Sequence, residues 1–215
     1  MLPNCLVMKP IYKKIFHSSG SIAVLFYMLH VVIGGVLWKD YNHLQQPISD
    51  LTATGAPNRT LLLNLTSIYG VLGVIFAFAF TFFESRKHHK LVLWGGISFI
   101  MLHLVSISYG FFPQDLPGSE VTFAGTMHLV VTGLIVPFTI LTPFLIGFGF
   151  IKESKWKSFG IYSIISGFLI LIFGSLCGVF FANKLPYFGL VERINIGVLQ
   201  VWTLLLSLKL ITSKQ

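Results

Sequence analysis

TLLLNLTSIYGVLGVIFAFAFTFF, residues 60–83, runs for 24 residues without a charged side chain. At ~1.5 Å of rise per residue a helix of that length reaches about 36 Å, enough to cross a hydrocarbon layer of about 30 Å. The run stops at ESRKHHK, residues 84–90, where the chain turns abruptly basic. Five further stretches repeat the pattern, at about 19–38, 91–112, 123–151, 159–182 and 191–210. The fourth is interrupted by Pro137 and Pro143. These prolines are expected to bend it unless neighbours satisfy the freed carbonyls. The reading is an all-α, polytopic transmembrane bundle of six helices. It forms one membrane domain over residues 1–215, and no soluble domain fits between the spans.

Composition agrees. Apolar residues make up 54% of the 215 and charged residues 10%, where a soluble domain carries roughly a quarter. Mean hydropathy is +0.81. A small soluble domain exposes too much surface to hide this composition, so lipid must serve as part of the solvent. The net charge of +8 does not point to nucleic acid. The basic residues sit in short runs between spans, as a topology signal does. Cys5 and Cys177 are too differently placed to pair. Residues 19–38 are followed by Lys39-Asp40-Tyr41 rather than a small-residue cleavage site, so they read as a retained helix.

Six spans place both termini on one side. That side collects Lys9, Lys13, Lys14, Arg86, Lys87, Lys90, Lys152, Lys155, Lys157, Lys209 and Lys214. The other holds only Lys39, Arg59, Lys184 and Arg193. The basic side is expected to be cytoplasmic. The acids Asp40, Asp50, Asp115, Glu120 and Glu192 divide the opposite way, leaving Glu84 and Glu153 inside. The cytoplasmic loops, with His88 and His89, read as plain solvated connectors. Among the outer loops, residues 39–59 form the longest. Pro47 and Pro57 exclude one continuous helix there, and residues 48–53 suit a short amphipathic or re-entrant piece.

Ionisable side chains inside a span are costly and mark candidate sites. His30 and His103 lie roughly 12–14 Å below the outer surface at helical rise, with Gln200 at similar depth and His128 about one turn into the fourth span. Helical spacing groups Tyr27 with His30, His103 with Ser106, His128 with Thr132 and Thr139, and Arg193 with Gly197 and Gln200. Thr60, Asn64 and Ser67 share one side of the second span. Together they predict a polar interior open to the outside and closed toward the cytoplasm. Three chemistries compete for it. These groups can simply hydrogen-bond between helices. Three histidines can hold zinc with water in the fourth position, although no H-x-x-x-H pair occurs and His128 is shallower than the other two. Asp50, Asp115 and His128 can act as an acid–base set. Gly174 and Gly178 form a G-x-x-x-G pair and are expected to mark a helix contact. Glu192 suits a helix N-terminus, while Arg59 and Arg193 are placed to grip an anionic lipid headgroup.

Three stretches carry a family resemblance. They are Pro47-Ile48-Ser49-Asp50-Leu51 through Gly55-Ala56-Pro57-Asn58-Arg59, then Phe112-Pro113-Gln114-Asp115 followed by His128, then Gly189-Leu190-Val191-Glu192-Arg193 with Trp202 beyond. In order and spacing the chain resembles a bacterial family of six-helix integral membrane proteins known as domain of unknown function 998. The resemblance covers nearly the whole chain. It implies six helices in a bacterial cytoplasmic membrane, and no activity, substrate or cofactor. The family's motif positions match Ser49, Asp50, Asp115, His128, Glu192 and Arg193. His30 and His103 lie outside the pattern, which weakens the zinc reading. A looser likeness to ceramidase-like membrane hydrolases remains analogy, because the paired histidine spacing of those enzymes is missing.

The expected function is binding, with or without modification, of a lipid-like amphiphile from the outer leaflet. Asp50, Asp115 and His128 form the expected acid–base or binding core. Arg59, Glu192, Arg193, Ser49, His103, His30 and Gln200 form the expected ligand contacts. No metal ligand set, cofactor or nucleic-acid partner is indicated, and membrane lipids are the expected partners. The alternatives are a small transporter lined by His30, His103 and Gln200, and a non-catalytic partner or sensor protein that uses its long first loop.

Overall fold

The computed structural model describes residues 10–213. Cys5, Lys9 and Lys214 lie outside them. Six helices, α1 (Pro10–Leu37), α2 (Arg59–Phe83), α3 (Lys90–Ile107), α4 (Phe123–Phe150), α5 (Lys157–Ala182) and α6 (Phe188–Thr212), make up the fold. All six are long and apolar enough to cross a membrane. No strand occurs among the described residues. Each helix packs on its neighbour in sequence, and α6 returns against α1 to close a ring. One end of the ring, here the loop face, carries the connections 38–58, 108–122 and 183–187. The opposite end, the terminal face, carries both ends of the described chain with 84–89 and 151–156.

Helix bounds differ from the apolar runs where polar residues are tolerated at helix ends. α1 starts at Pro10, well before residue 19, because Lys13 and Lys14 can extend their charges beyond the apolar layer while their stems stay in the helix. α3 stops at Ile107 and passes through a 3-10 turn, Ser108–Gly110, so its α-helical part is shorter than 91–112.

In lipid there is no hydrophobic drive between helices, so close packing must hold the ring. In the terminal half that packing is aromatic. Phe76, Phe80, Phe99, Phe150, Trp156, Phe159 and Trp202 form one buried cluster contributed by α2 to α6 and the 151–156 turn. Phe76 and Phe99 meet edge to face, as do Phe99 and Trp202. The indole Nε1 of Trp202 donates to Ser163 Oγ at 2.9 Å, satisfying a polar atom that burial would otherwise strand. Small residues bring α4 and α5 together here. A Cβ on Gly160 would lie 2.9 Å from the Gly147 carbonyl oxygen. α4 remains continuous through both prolines. Ser98 of α3 donates to the Phe138 carbonyl at 3.4 Å and accepts from Thr142 at 2.9 Å, so the neighbouring helix supplies polar partners at this segment.

The terminal-face connections are not plain connectors. Glu84 is buried, with the Lys87 ammonium at 3.1 Å and His17 Nε2 at 3.4 Å. His88 Nδ1 meets Glu153 Oε2 at 2.6 Å, and its ring packs between Phe150 and Trp156. Burial pushes the Glu84 carboxyl up, but its contacts with His17 and Lys87 outweigh this and hold it below the usual range. His17 lies seven residues into α1, too deep to be solvated, which is why it recruits a carboxylate. A cavity of about 480 Å³ opens beside this cluster.

Candidate functional site

The first loop is folded onto the ring rather than left in solvent. Asn42 Oδ1 accepts from Leu44 N at 2.9 Å and starts a tight turn. Pro47 then leads into the 3-10 turn Ile48–Thr52, which falls within the segment expected to be amphipathic or re-entrant. Ile48, Leu51 and Ala53 are buried, and Leu51 packs into the notch left by Gly34 beside Leu62. The loop is tied to the start of α6 by backbone and side chain. Leu190 N donates to the Leu44 carbonyl at 3.0 Å. Glu192 Oε2 accepts from Ile48 N at 2.6 Å. Arg193 Nη1 donates to the carbonyls of Gln46 and Gly189 at 2.8 and 2.9 Å, and Nη2 to the Tyr41 hydroxyl at 2.5 Å. The Tyr41 hydroxyl in turn donates to the Pro47 carbonyl at 2.7 Å.

Asp50 sits inside this knot, 0% exposed. Gln114 Nε2 donates to Oδ1 at 2.6 Å and Gln46 Nε2 to Oδ2 at 3.4 Å. Ser49 Oγ donates to Gln114 Oε1 at 2.5 Å, and Thr54 N to the Gln114 carbonyl at 3.0 Å. Gln114 therefore stitches the second loop to the first. Burial pushes the Asp50 carboxyl up to about 6, against the hydrogen bonds from the two glutamines and the charge of Arg193. Arg59 Nε donates to the Thr52 carbonyl at 3.2 Å.

Asp115 and His128 lie in the second loop and α4. Asp115 accepts from Thr122 N and Thr122 Oγ1, both at 2.8 Å, while Thr122 caps α4 by accepting from Gly125 N at 3.0 Å. The carboxylate thus rests at a helix N-terminus, where the aligned peptide dipoles favour negative charge. His128 Nδ1 bonds the Phe112 carbonyl at 2.9 Å, and its ring lies against Tyr109. No hydrogen bond among the described residues joins Asp50, Asp115 and His128. Each is held by a different partner.

Below the knot lies the polar interior. His30 and His103, each 2% exposed, have no hydrogen-bond partner at either ring nitrogen. Asn195 Oδ1 and Gln200 Oε1 are buried and unpartnered too. Gln200 Nε2 donates to the Tyr69 hydroxyl at 3.0 Å. Tyr69 bridges Tyr27 and His103, with ring centroids 5.0 and 5.9 Å away, and Tyr27 continues to His30 at 5.8 Å. A Cβ on Gly73 would overlap the His103 ring, so that glycine makes room for the imidazole. Tyr109 OH pairs with Thr132 Oγ1 at 3.0 Å. Thr132 is nonetheless exposed, so this side of the interior is open.

The sequence placed His30, His103 and Gln200 at one depth, and the structure brings His103 and Gln200 to Tyr69, with His30 one ring further through Tyr27. It does not bring Thr60, Asn64 and Ser67 there. All three are exposed, because α2 turns the row of Leu62, Tyr69, Gly70 and Gly73 inward. Tyr69, Asn195, Gln114 and Tyr41 escaped the sequence reading. Tyr69 was legible as the residue one turn before Gly73, while the other three carried no periodic signal. Among the described residues, no group of three His, Cys, Asp or Glu is arranged to hold a metal.

No curated protein and no solved structure matches the chain. Residues 21–209 match the family described as "Protein of unknown function (DUF998)". That match takes in all three loop-face motifs and most of the ring, and the chain belongs to this family of membrane proteins.

Proposed function

We propose that this protein binds the polar end of an amphiphile in the interior of its loop-face half, and that the loop face is extracytoplasmic. The orientation follows from the concentration of lysine and arginine at the terminal face. One observation carries the binding reading. His30, His103, Asn195 and Gln200 leave buried polar atoms without partners inside a membrane span. An unsatisfied buried polar atom costs about 1–3 kcal/mol. Four side chains left so beside an open flank mark a place made to be filled, by water in the resting protein and by ligand groups when one binds. The aromatic cluster beneath supports a closed inner half, which favours a binder over a conduit.

On this reading the family motifs frame the site rather than perform chemistry. Asp50, Glu192 and Arg193 hold the first loop across the ring, and Asp115 holds the start of α4. His128, with Tyr109, lines the approach. The bacterial cytoplasmic membrane is the proposed location. The test is native mass spectrometry from mild detergent of the wild type beside a His30→Leu, His103→Leu double variant. A lipid-sized mass carried by the wild type and lost in the variant supports the reading. The same mass retained in a folded variant overturns it.

A further inference from the structure

α4 and α5 pack together in the terminal half and part in the loop-face half. One helical row shows this directly. Gly160 and Gly178 are eighteen positions apart, about five turns, and so share a face of α5. A Cβ on Gly160 would meet Ile151 N at 2.7 Å and the Gly147 carbonyl at 2.9 Å. Gly167, between them, meets Phe144 of α4 at 3.0 Å. A Cβ on Gly178 would meet nothing within 4 Å. The pair expected to mark a helix contact therefore splits: Gly174 meets Asn195 of α6, with a Cβ 3.6 Å from its Oδ1, whereas Gly178 meets no helix. α4 tells the same story. Gly147 is pressed against α5, whereas Leu129, five turns earlier, is 51% exposed, and a Cβ on Gly133 meets nothing. Between 171 and 182 no residue of α5 is buried. α4 stays with α3 through Tyr109, His128 and Thr132, while α5 stays with α6 through Phe181 and Phe188.

The parting opens a cleft from the side of the ring into its polar interior. Thr132 stands at the cleft and pairs with Tyr109. On α5, Gly174 stands one turn before Gly178, and a Cβ on it would lie 3.6 Å from the unpartnered Asn195 Oδ1, so the cleft borders the polar interior. Both helices are long and apolar enough to cross a membrane, so in a bilayer the cleft would open toward lipid.

The lining also selects a headgroup. A neutral imidazole offers one donor and one acceptor, and Asn195 Oδ1 and Gln200 Oε1 an acceptor each. The arginines near the interior spend part of their donors on the loop. Arg193 holds two carbonyls and a phenol, and Arg59 Nε holds the Thr52 carbonyl. An ionised phosphate, which accepts without donating, would meet these acceptors with one free cationic donor beside them, Arg193 Nε, because both Nη atoms hold the loop. Hydroxyl groups, which both donate and accept, match the lining.

We propose that the ligand is a neutral, hydroxyl-bearing lipid that enters sideways from the bilayer between α4 and α5. This rests on the reading of the interior as an amphiphile site and adds its route and headgroup class.

The test titrates purified protein in mild detergent with monoolein, dioleoyl phosphatidic acid or free glycerol, reading bound mass and thermal stabilisation. Wild type is compared with Gly178→Phe and Gly133→Phe, which fill the cleft from either helix, with Gly197→Phe on the α5–α6 groove outside it, and with the His30→Leu, His103→Leu double variant. The expected result is monoolein binding to wild type and Gly197→Phe, weakened about tenfold or more in both cleft variants and the histidine variant, with phosphatidic acid and glycerol inactive. Monoolein binding lost in the histidine variant but kept in both cleft variants overturns the sideways route and leaves the interior site standing. Phosphatidic acid preferred over monoolein, and lost in the histidine variant, overturns the headgroup class alone. Monoolein binding unchanged in the histidine variant, or none in the wild type, overturns the site and the route together. Two cleft variants on different helices guard against one that fails to fold.

Discussion

Arg193 Nη1 lies 2.8 Å from the carbonyl oxygen of Gln46, 147 positions away in the chain. The first turn of the last helix thus holds the middle of the first loop. The same guanidinium holds Tyr41 and Gly189. Hydrogen bonds from charged donors contribute about 1.5–3 kcal/mol, so Arg193→Ala should destabilise by about that much. Arg193→Lys should recover less than half of the loss, because a point-like ammonium cannot span two carbonyls and a phenol as a planar fork does. Thermal unfolding in detergent, with accessibility of a cysteine placed at Ser49, checks both. Full rescue by lysine would mean that charge alone matters there.

Asp50 makes the loop knot sensitive to pH. Its folded carboxyl is raised from 3.8 to about 6, so the folded state keeps a proton that the unfolded state has released. The resulting stabilisation is full below about pH 3.8 and is lost as pH rises through about 6. Asp50→Asn cannot ionise. Its melting temperature should gain on that of the wild type as pH rises through this window. Parallel curves for the two proteins would show that Asp50 titrates alike in folded and unfolded chains.

Asp115 serves the start of α4. Asp115→Ala removes both acceptors of Thr122 and should cost about 0.5–2 kcal/mol, the range for losing a helix cap. A lipid-sized mass should remain bound to the variant. Loss of that mass at unchanged stability would instead make Asp115 a ligand contact.

Orientation has its own check. A reporter active only outside the cytoplasm should work when fused after Leu116 and fail after Lys155. The reverse pattern would place the loop face in the cytoplasm and the proposed site in the inner leaflet.

Much of this molecule could be read from its residues. The six apolar runs determined six helices, because a chain crossing lipid has to satisfy its backbone hydrogen bonds within each segment. Their number and loop lengths put Asp50, Asp115, Glu192 and Arg193 at one end together. Helical rise put His30, His103 and Gln200 at similar depth. Which side of each helix turns inward was not legible, because in lipid both faces are apolar and hydropathy no longer marks the core. Hence Thr60, Asn64 and Ser67 suggested the inner face of α2, while Tyr69 holds it. The jobs of the charged residues were equally hidden. Glu192 and Arg193 open the last helix, yet packing ties both to the first loop, Glu192 at the Ile48 amide and Arg193 at the Gln46 carbonyl. The terminal-face contacts among His17, Glu84, His88 and Glu153 needed three separate segments to meet. The parting of α4 from α5 depends on where Gly147 and Gly160 let two backbones touch, and where Gly178 finds no partner. Such contacts depend on shape, and only the assembled ring fixes the shape.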